Sequence, residues 1–292
     1  MDKVISKQLL IEHYQIPWES EWLKQVDNNL YPIHKLYRNR MLATIDMIDA
    51  DANDLIDILD IGCGVGIYDF NILKKFPKAK IVGIDISMPQ IELATKIAKE
   101  HNFDGRIVFS LGDIENLEIN NSFDYIMCTE VIEHLPDPTK AIDNIVSFCD
   151  RNTKVIISVP QLYNGVKQEG IFYKQIMPDG REIHTQNKER LDPARKYYSY
   201  YHTFYDERKL KMLLSRHGLR IEKMLAVNFS IAHDYTVTNN PLRIIRRKIN
   251  NLTALMAGIL TKINNRNIDI FLNKVFRHKL SDTLVVRCIK TI

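Results

Sequence analysis

An α/β fold with a doubly wound, mostly parallel sheet is what the amino-acid sequence predicts, and three observations carry that reading. Short apolar segments alternate with segments of helical spacing from about residue 55 to about residue 230. The short segments are apolar nearly throughout, as strands covered on both faces must be. The first of them runs straight into a cluster of glycines, at the kind of strand-to-helix turn where such sheets receive ligands.

The elements follow in order. Residues 1–50 read as a helical cap, with apolar residues at helical spacing in Gln8-Leu9-Leu10-Ile11 and again from Leu36 to Ile48. Ile56–Ile61 is a strand, followed by a helix over Tyr68–Phe76 and a strand over Ile81–Asp85. A helix over Pro89–His101, strands over Ile107–Ser110 and Tyr125–Cys128, a helix over Thr139–Cys149 and a strand over Val155–Val159 continue the rhythm. Gly165, Gly170, Pro178, Gly180 and Pro193 then break it, so residues 161–200 read as an inserted loop or lid. Helix Asp206–His217, stopped by Gly218, and strand Leu219–Ala226 resume the pattern, and Thr283–Cys288 reads as a last strand. The core is therefore expected over 51–237, closed by 281–292.

Between the last two strands lies a second expected insertion, 238–280. Leu242, Ile245, Ile249, Leu252, Met256, Ile259 and Ile263 form an apolar stripe along one helix, with Arg243, Arg246, Arg247 and Lys248 crowding its first turns. Such a segment can cap the sheet, form a dimer contact or lie on an anionic membrane surface. Residues 241–292 hold 11 Lys and Arg against 2 Asp and Glu, so the rest of the chain is mildly acidic within a total of +4.

The 292 residues are 45% hydrophobic and 26% charged, the proportions of a globular protein with a sizeable core. That excludes a disordered chain, a collagen-like fibre and a disulfide scaffold. The start, Met1-Asp2-Lys3-Val4, lacks the apolar stretch of a signal peptide, and the charge-free run Ile249–Thr261 is too short to span a bilayer. Cys63, Cys128, Cys149 and Cys288 are scattered with no paired spacing. A reduced, cytoplasmic protein, with at most a peripheral contact with a membrane, is the expectation.

The glycine turn is Leu59-Asp60-Ile61-Gly62-Cys63-Gly64-Val65-Gly66. Glycines there let the backbone turn tightly and approach a ligand, while helix N–H groups face it. Ile67 stands where the dinucleotide fingerprint G-x-G-x-x-G needs its third glycine, which counts against a nicotinamide or flavin cofactor. Asp85 ends the second strand, where a carboxylate can accept both hydroxyls of a ribose. Gly112-Asp113-Ile114 closes the third strand with an acceptor for an adenine amino group and an apolar residue for the ring.

These stretches resemble the class I S-adenosylmethionine-dependent methyltransferases. Ile58–Gly66 is similar to the first motif of that family, Val82–Ser87 to the second, Leu111–Ile114 to the third and Phe123–Leu135 to the fourth. The resemblance implies a Rossmann-like sheet of seven strands, six parallel and one antiparallel, with S-adenosyl-L-methionine as cofactor. It implies that Asp60 and Gly62 lie by the methionine part, Asp85 by the ribose, and Asp113 and Ile114 by the adenine, with Cys63, Gly64, Gly66, Ile86 and Thr129 also binding the cofactor.

The fourth strand runs into Thr129-Glu130-Val131-Ile132-Glu133-His134-Leu135. One helical turn would put Glu130, Glu133 and His134 on a single face, at the sheet edge where ligands bind. Two carboxylates and an imidazole suit a divalent cation, Mg²⁺ or Mn²⁺ by their oxygens, Zn²⁺ by the imidazole. His202 is the expected further ligand, ahead of His184. Without a metal, His134, Glu130 and His202 suit proton transfer or acceptor positioning. The same E-x-x-E-H is similar to ubiquinone-biosynthesis O-methyltransferases and to small-RNA 2′-O-methyltransferases. The expected reaction is O-methylation of a small molecule, a lipid-linked intermediate or a glycan. RNA 2′-O-methylation and a non-catalytic cofactor-binding or membrane-associated partner subunit are the alternatives. Tyr197, Tyr198, Tyr200, Tyr201, Phe204 and Tyr205 could stack on bases or a phenolic acceptor, or line the core. Trp18, Trp22, Tyr31 and Tyr37 belong to the expected cap.

Overall fold

A computed structural model describes residues 26–30, 35–103, 105–161, 169–176, 182–229 and 281–291. The expected insertion 238–280 with its basic helix, and Trp18, Trp22 and Tyr31 of the cap, lie outside the described residues.

Seven strands form the main sheet in the order β3-β2-β1-β4-β5-β10-β9. They are β1 (Asp57–Ile61), β2 (Lys80–Asp85), β3 (Ile107–Leu111), β4 (Tyr125–Thr129), β5 (Lys154–Pro160), β9 (Leu219–Phe229) and β10 (Ser281–Lys290). β1 to β5 pair in parallel, whereas β10 runs antiparallel to both β5 and β9. The expected six-plus-one arrangement is therefore present. The chain winds outward from β1 to β3, then returns to place β4 on the other side of β1. That reversal opens a crevice past the carboxyl ends of β1 and β4.

Period-two alternation divides the core between the two faces of the sheet. Leu59, Ile61, Ile126, Cys128, Val155 and Ile157 share one cluster with Ile142 and Ile145 of α4 (Thr139–Ser147) and Leu210 and Leu214 of α5 (Glu207–Arg216). Ile58, Tyr125, Met127 and Ile156 point the other way. There they meet Met41 and Ile45 of α1 (Lys35–Ile45), Phe70 and Leu73 of α2 (Ile67–Lys75), and Leu93 and Ile97 of α3 (Met88–Glu100).

The segment 161–200 departs from the expected loop. β6 (Glu169–Ile176), β7 (Glu182–Thr185) and β8 (Tyr197–Thr203) form a separate antiparallel sheet in the order β7-β6-β8. β6 and β8 are in register from Glu169 opposite Thr203 to Gln175 opposite Tyr197. Gln175 is fully buried and holds the chain beyond the sheet, donating to the Asp192 carbonyl at 2.9 Å and accepting from the Asp192 amide at 2.8 Å. Glycine and proline punctuation around its strands conceals this sheet in the sequence, although β6 and β8, of 8 and 7 residues, are longer than β1. Among the described residues, no helix is long and apolar enough to cross a membrane.

Candidate functional site

The crevice past β1 and β4 is a cleft with about 740 Å³ of space, part of it open to solvent. Its floor is the glycine turn between β1 and α2. Gly62, Gly64 and Gly66 all adopt left-handed backbone, with φ of 77°, 56° and 78°. At Gly62 the absence of a side chain is also a packing requirement, because a Cβ there would collide with Val131. The turn is pinned to β2 by the Gly62 and Cys63 amides, which donate to the Ile84 carbonyl at 2.7 and 3.1 Å.

Asp85 ties this turn to the next one. Its carboxylate accepts from the Gly64 amide at 2.8 Å and the Ser87 amide at 2.9 Å. Burial pushes its proton affinity up, against the pull of those backbone donors. Gly62, Gly64, Asp85, Ile86, Asp113 and Ile114 line the cleft. Asp113 also caps the short turn that follows β3, accepting from the Glu115 amide at 3.1 Å and Asn116 Nδ2 at 2.8 Å. Asp60, Cys63, Gly66 and Thr129 do not line the cleft. Asp60 and Thr129 are buried strand residues behind it, and Cys63 and Gly66 face inward, with Phe109 and Phe70 against Gly66.

The expectation that Glu130, Glu133 and His134 share one face of a helical turn is corrected by the structure. Only Ile132–His134 form a turn, of the tighter 3-10 kind, and Glu130 precedes it with a left-handed φ of 57°. Its carboxylate is turned towards Arg40 of α1, whose Nη1 donates to Oε2 at 2.6 Å, while Ser158 Oγ donates to Oε1 at 2.9 Å. Arg40 Nε in turn donates to Tyr68 Oη at 3.2 Å. Glu130 thus clamps the cap helix to the sheet at the cleft wall, instead of joining Glu133.

Glu133, His134 and His202 do converge, each offering a ligand atom within 4.8 Å of the others. β8 brings His202 there, since it packs on the 3-10 turn and its Tyr201 carbonyl lies 3.2 Å from His134 Nδ1. A carbonyl can only accept, so Nδ1 carries the hydrogen and Nε2 keeps its lone pair. Nε2 lies 3.7 Å from Glu133 Oε1, too far for a hydrogen bond. Burial lowers the His134 pKa to about 4, so the imidazole is neutral at physiological pH. Glu133, 1% exposed, holds its proton well above the usual carboxyl range, because of burial first and the Glu130 charge second. Its Oε2 has no hydrogen-bond partner among the described residues. An orphaned buried oxygen beside an imidazole lone pair, with that imidazole held by a backbone carbonyl, fits a divalent cation. His184 lies on β7 opposite Lys174.

His134 faces the cleft on one side and aromatic rings on the other. The His134 and His202 rings meet edge-on at 5.2 Å, and Phe172, Tyr200 and Phe204 surround His202 at 5.9, 6.0 and 4.4 Å between centroids. Tyr205 is buried in the main core, whereas Tyr197, Tyr198, Tyr200 and Tyr201 are half-buried on β8, and Tyr37 is exposed. Sequence reasoning missed Arg40, Ser158, Gln90, Glu115 and Val131. Gln90 and Val131 carried a usable signal, one at the start of the helix after Asp85 and the other inside the E-x-x-E-H stretch. Arg40 carried none, since its partner is 90 residues away.

A family model described as a methyltransferase domain matches residues 52–212. The chain is 31% identical over 117 residues to a malonyl-[acyl-carrier protein] O-methyltransferase of Acetivibrio thermocellus, covering 40% of each chain. It is 32% identical over 139 residues to a ubiquinone biosynthesis O-methyltransferase of Rickettsia canadensis, covering 47% of this chain and 56% of that one. The matched stretches thus span about half the length of these relatives. A 1,6-didemethyltoxoflavin-N1-methyltransferase of Burkholderia thailandensis, solved with bound 1,6-didemethyltoxoflavin and S-adenosylhomocysteine, is similar in fold. Its TM-score is 0.57 at 12% identity, covering 100% of this chain and 92% of that one.

Proposed function

This chain belongs to the methyltransferase-domain family, and we propose that it transfers the methyl group of S-adenosylmethionine to an oxygen of a small acceptor, lipid-linked intermediate or glycan. The observation that carries this reading is the meeting of two features in one cleft. The Asp85 carboxylate anchored to the glycine turn offers lone pairs for ribose hydroxyls, and the neutral His134 imidazole faces the same space. The two relatives are O-methyltransferases, which supports oxygen as the acceptor atom.

A sulfonium methyl is already activated, so the chain's task is alignment, exclusion of water and management of the acceptor proton. The glycine turn and Asp85 would hold the adenosyl part, and Asp113 and Ile114 would flank the adenine. Arg40 would keep Glu130, and with it the cleft wall, in place. His134 Nε2, kept unprotonated by burial and fixed in tautomer by the Tyr201 carbonyl, would take the proton of an acceptor hydroxyl. The aromatic rings around His202 would shield that hydroxyl from water. In the alternative use of the cluster, Glu133, His134 and His202 would hold a divalent cation, whose chemistry is to acidify an oxygen bound to it, and the Nε2 lone pair would then serve the cation instead of the proton.

The test is H134A, assayed for turnover against a panel of phenols, carboxylic acids and sugars and titrated with cofactor in a calorimeter. Turnover should fall by about 10²–10⁴-fold with cofactor affinity nearly unchanged; unaltered turnover would overturn the role given to His134. Elemental analysis of the purified protein separates the two uses of the cluster. Metal that is bound by wild type and lost in E133Q supports the cation, and a metal-free active enzyme leaves the imidazole acting alone.

A further inference from the structure

Behind the glycine turn, Asp60 of β1 and Asp69 in the first turn of α2 are buried together, 1% and 0% exposed. Asp60 points with Ile58 to the sheet face on which α2 packs, and the carboxyl groups of Asp60 and Asp69 each act on the other's proton affinity. Taken as bare carboxylates the two have no donor, for one oxygen of Asp60 and both oxygens of Asp69 lack a hydrogen-bond partner. A contact between two acceptors becomes a hydrogen bond only when a proton lies between them.

The groups facing the pair supply no cation to replace that proton. Asp85 approaches from β2 and the Cys63 thiol from the turn; the Tyr68 phenol faces it from α2 and the Cys128 thiol from β4. Arg40 is hydrogen-bonded to Tyr68 and paired with Glu130, and is absent from the charges acting on either member of the pair. Burial and the mutual repulsion of like charges both favour retention of one proton. Asp60 directly precedes Ile61 and Gly62, which line the cleft, so a positive charge entering there acts on the pair through a dry, weakly screening wall.

Resting on the S-adenosylmethionine reading of the cleft, we propose that Asp60 and Asp69 hold one proton between them and form a charge-sensing pair. The pair gives up that proton when the sulfonium enters and keeps it against the neutral thioether product. One positive charge arrives as one leaves to solvent, so the buried wall carries the same charge before and after. Asp69 is then a positioning and discriminating residue rather than a contact residue. Affinity for the sulfonium form, relative to the thioether, should rise with pH while the pair is protonated in the free protein. The limit is tenfold per pH unit, set by release of one proton.

The experiment is calorimetric titration of the full chain near neutral pH in two buffers of different ionisation enthalpy, with S-adenosylmethionine and with S-adenosylhomocysteine. Wild type should release a measurable fraction of a proton with the first ligand and less with the second. In D69N, where an amide N–H can donate to Asp60 without titrating, that difference should vanish. Equal proton release for both ligands in wild type overturns the proposal with no variant needed, and so does a difference that survives in D69N. Failure of either ligand to bind at all overturns the cofactor reading itself, and this inference falls with it.

Discussion

Asp69 also reports on folding, because its carboxyl is raised well above the ordinary range by burial first and by Asp60 second. In the unfolded chain an aspartate ionises near pH 4, whereas burial beside Asp60 shifts its ionisation to higher pH in the fold. Above that pH the unfolded state binds fewer protons than the fold, so this residue's contribution to stability declines as pH rises towards the folded pKa. D69N should remove the decline: its denaturant midpoint should fall less than that of wild type between about pH 5 and about pH 8. Parallel midpoints would mean that Asp69 is ionised in the fold. Neither the pairing of Asp69 with Asp60 nor that of Glu130 with Arg40 was legible in the sequence. The first depends on how α2 packs behind β1, and in the second Glu130 takes its direction from a left-handed φ that glutamates seldom adopt. Asp85, Asp113 and His134 were legible because strand ends in a doubly wound sheet have one destination.

The elements most readable from residues alone were those with a strict period, and the glycine turn shows how tightly one is built. G62A should cost about 1–2 kcal/mol for a side chain in left-handed backbone, and about 1–3 kcal/mol more for overpacking against Val131. Adding V131A should recover only the second part in denaturant unfolding, leaving the backbone cost; full recovery would show that φ at Gly62 carries no strain. The β6–β7–β8 sheet was not readable, since its glycines and prolines look like loop punctuation. Yet β8 is what delivers His202 and the Tyr201 carbonyl to His134. Half of the candidate chemical site therefore arrives on a strand whose first part, up to residue 200, pattern reading assigned to an inserted loop or lid.

At the scale of the molecule, the family resemblance implies seven strands with one reversed, and the observed sheet has both. That strand, Ser281–Lys290, is laced on both edges, to β5 and to β9, with Leu284, Val285, Val286 and Cys288 wholly buried. Its hold on the body is thus lateral and does not depend on the covalent thread through 230–280. Severing that thread would yield a two-piece protein whose short piece acts as a removable zip, closing the seam between two strands that would otherwise offer naked edges. Co-produced halves divided within 230–280 should copurify and keep their folded circular-dichroism signature, and V285D in the short half should part them.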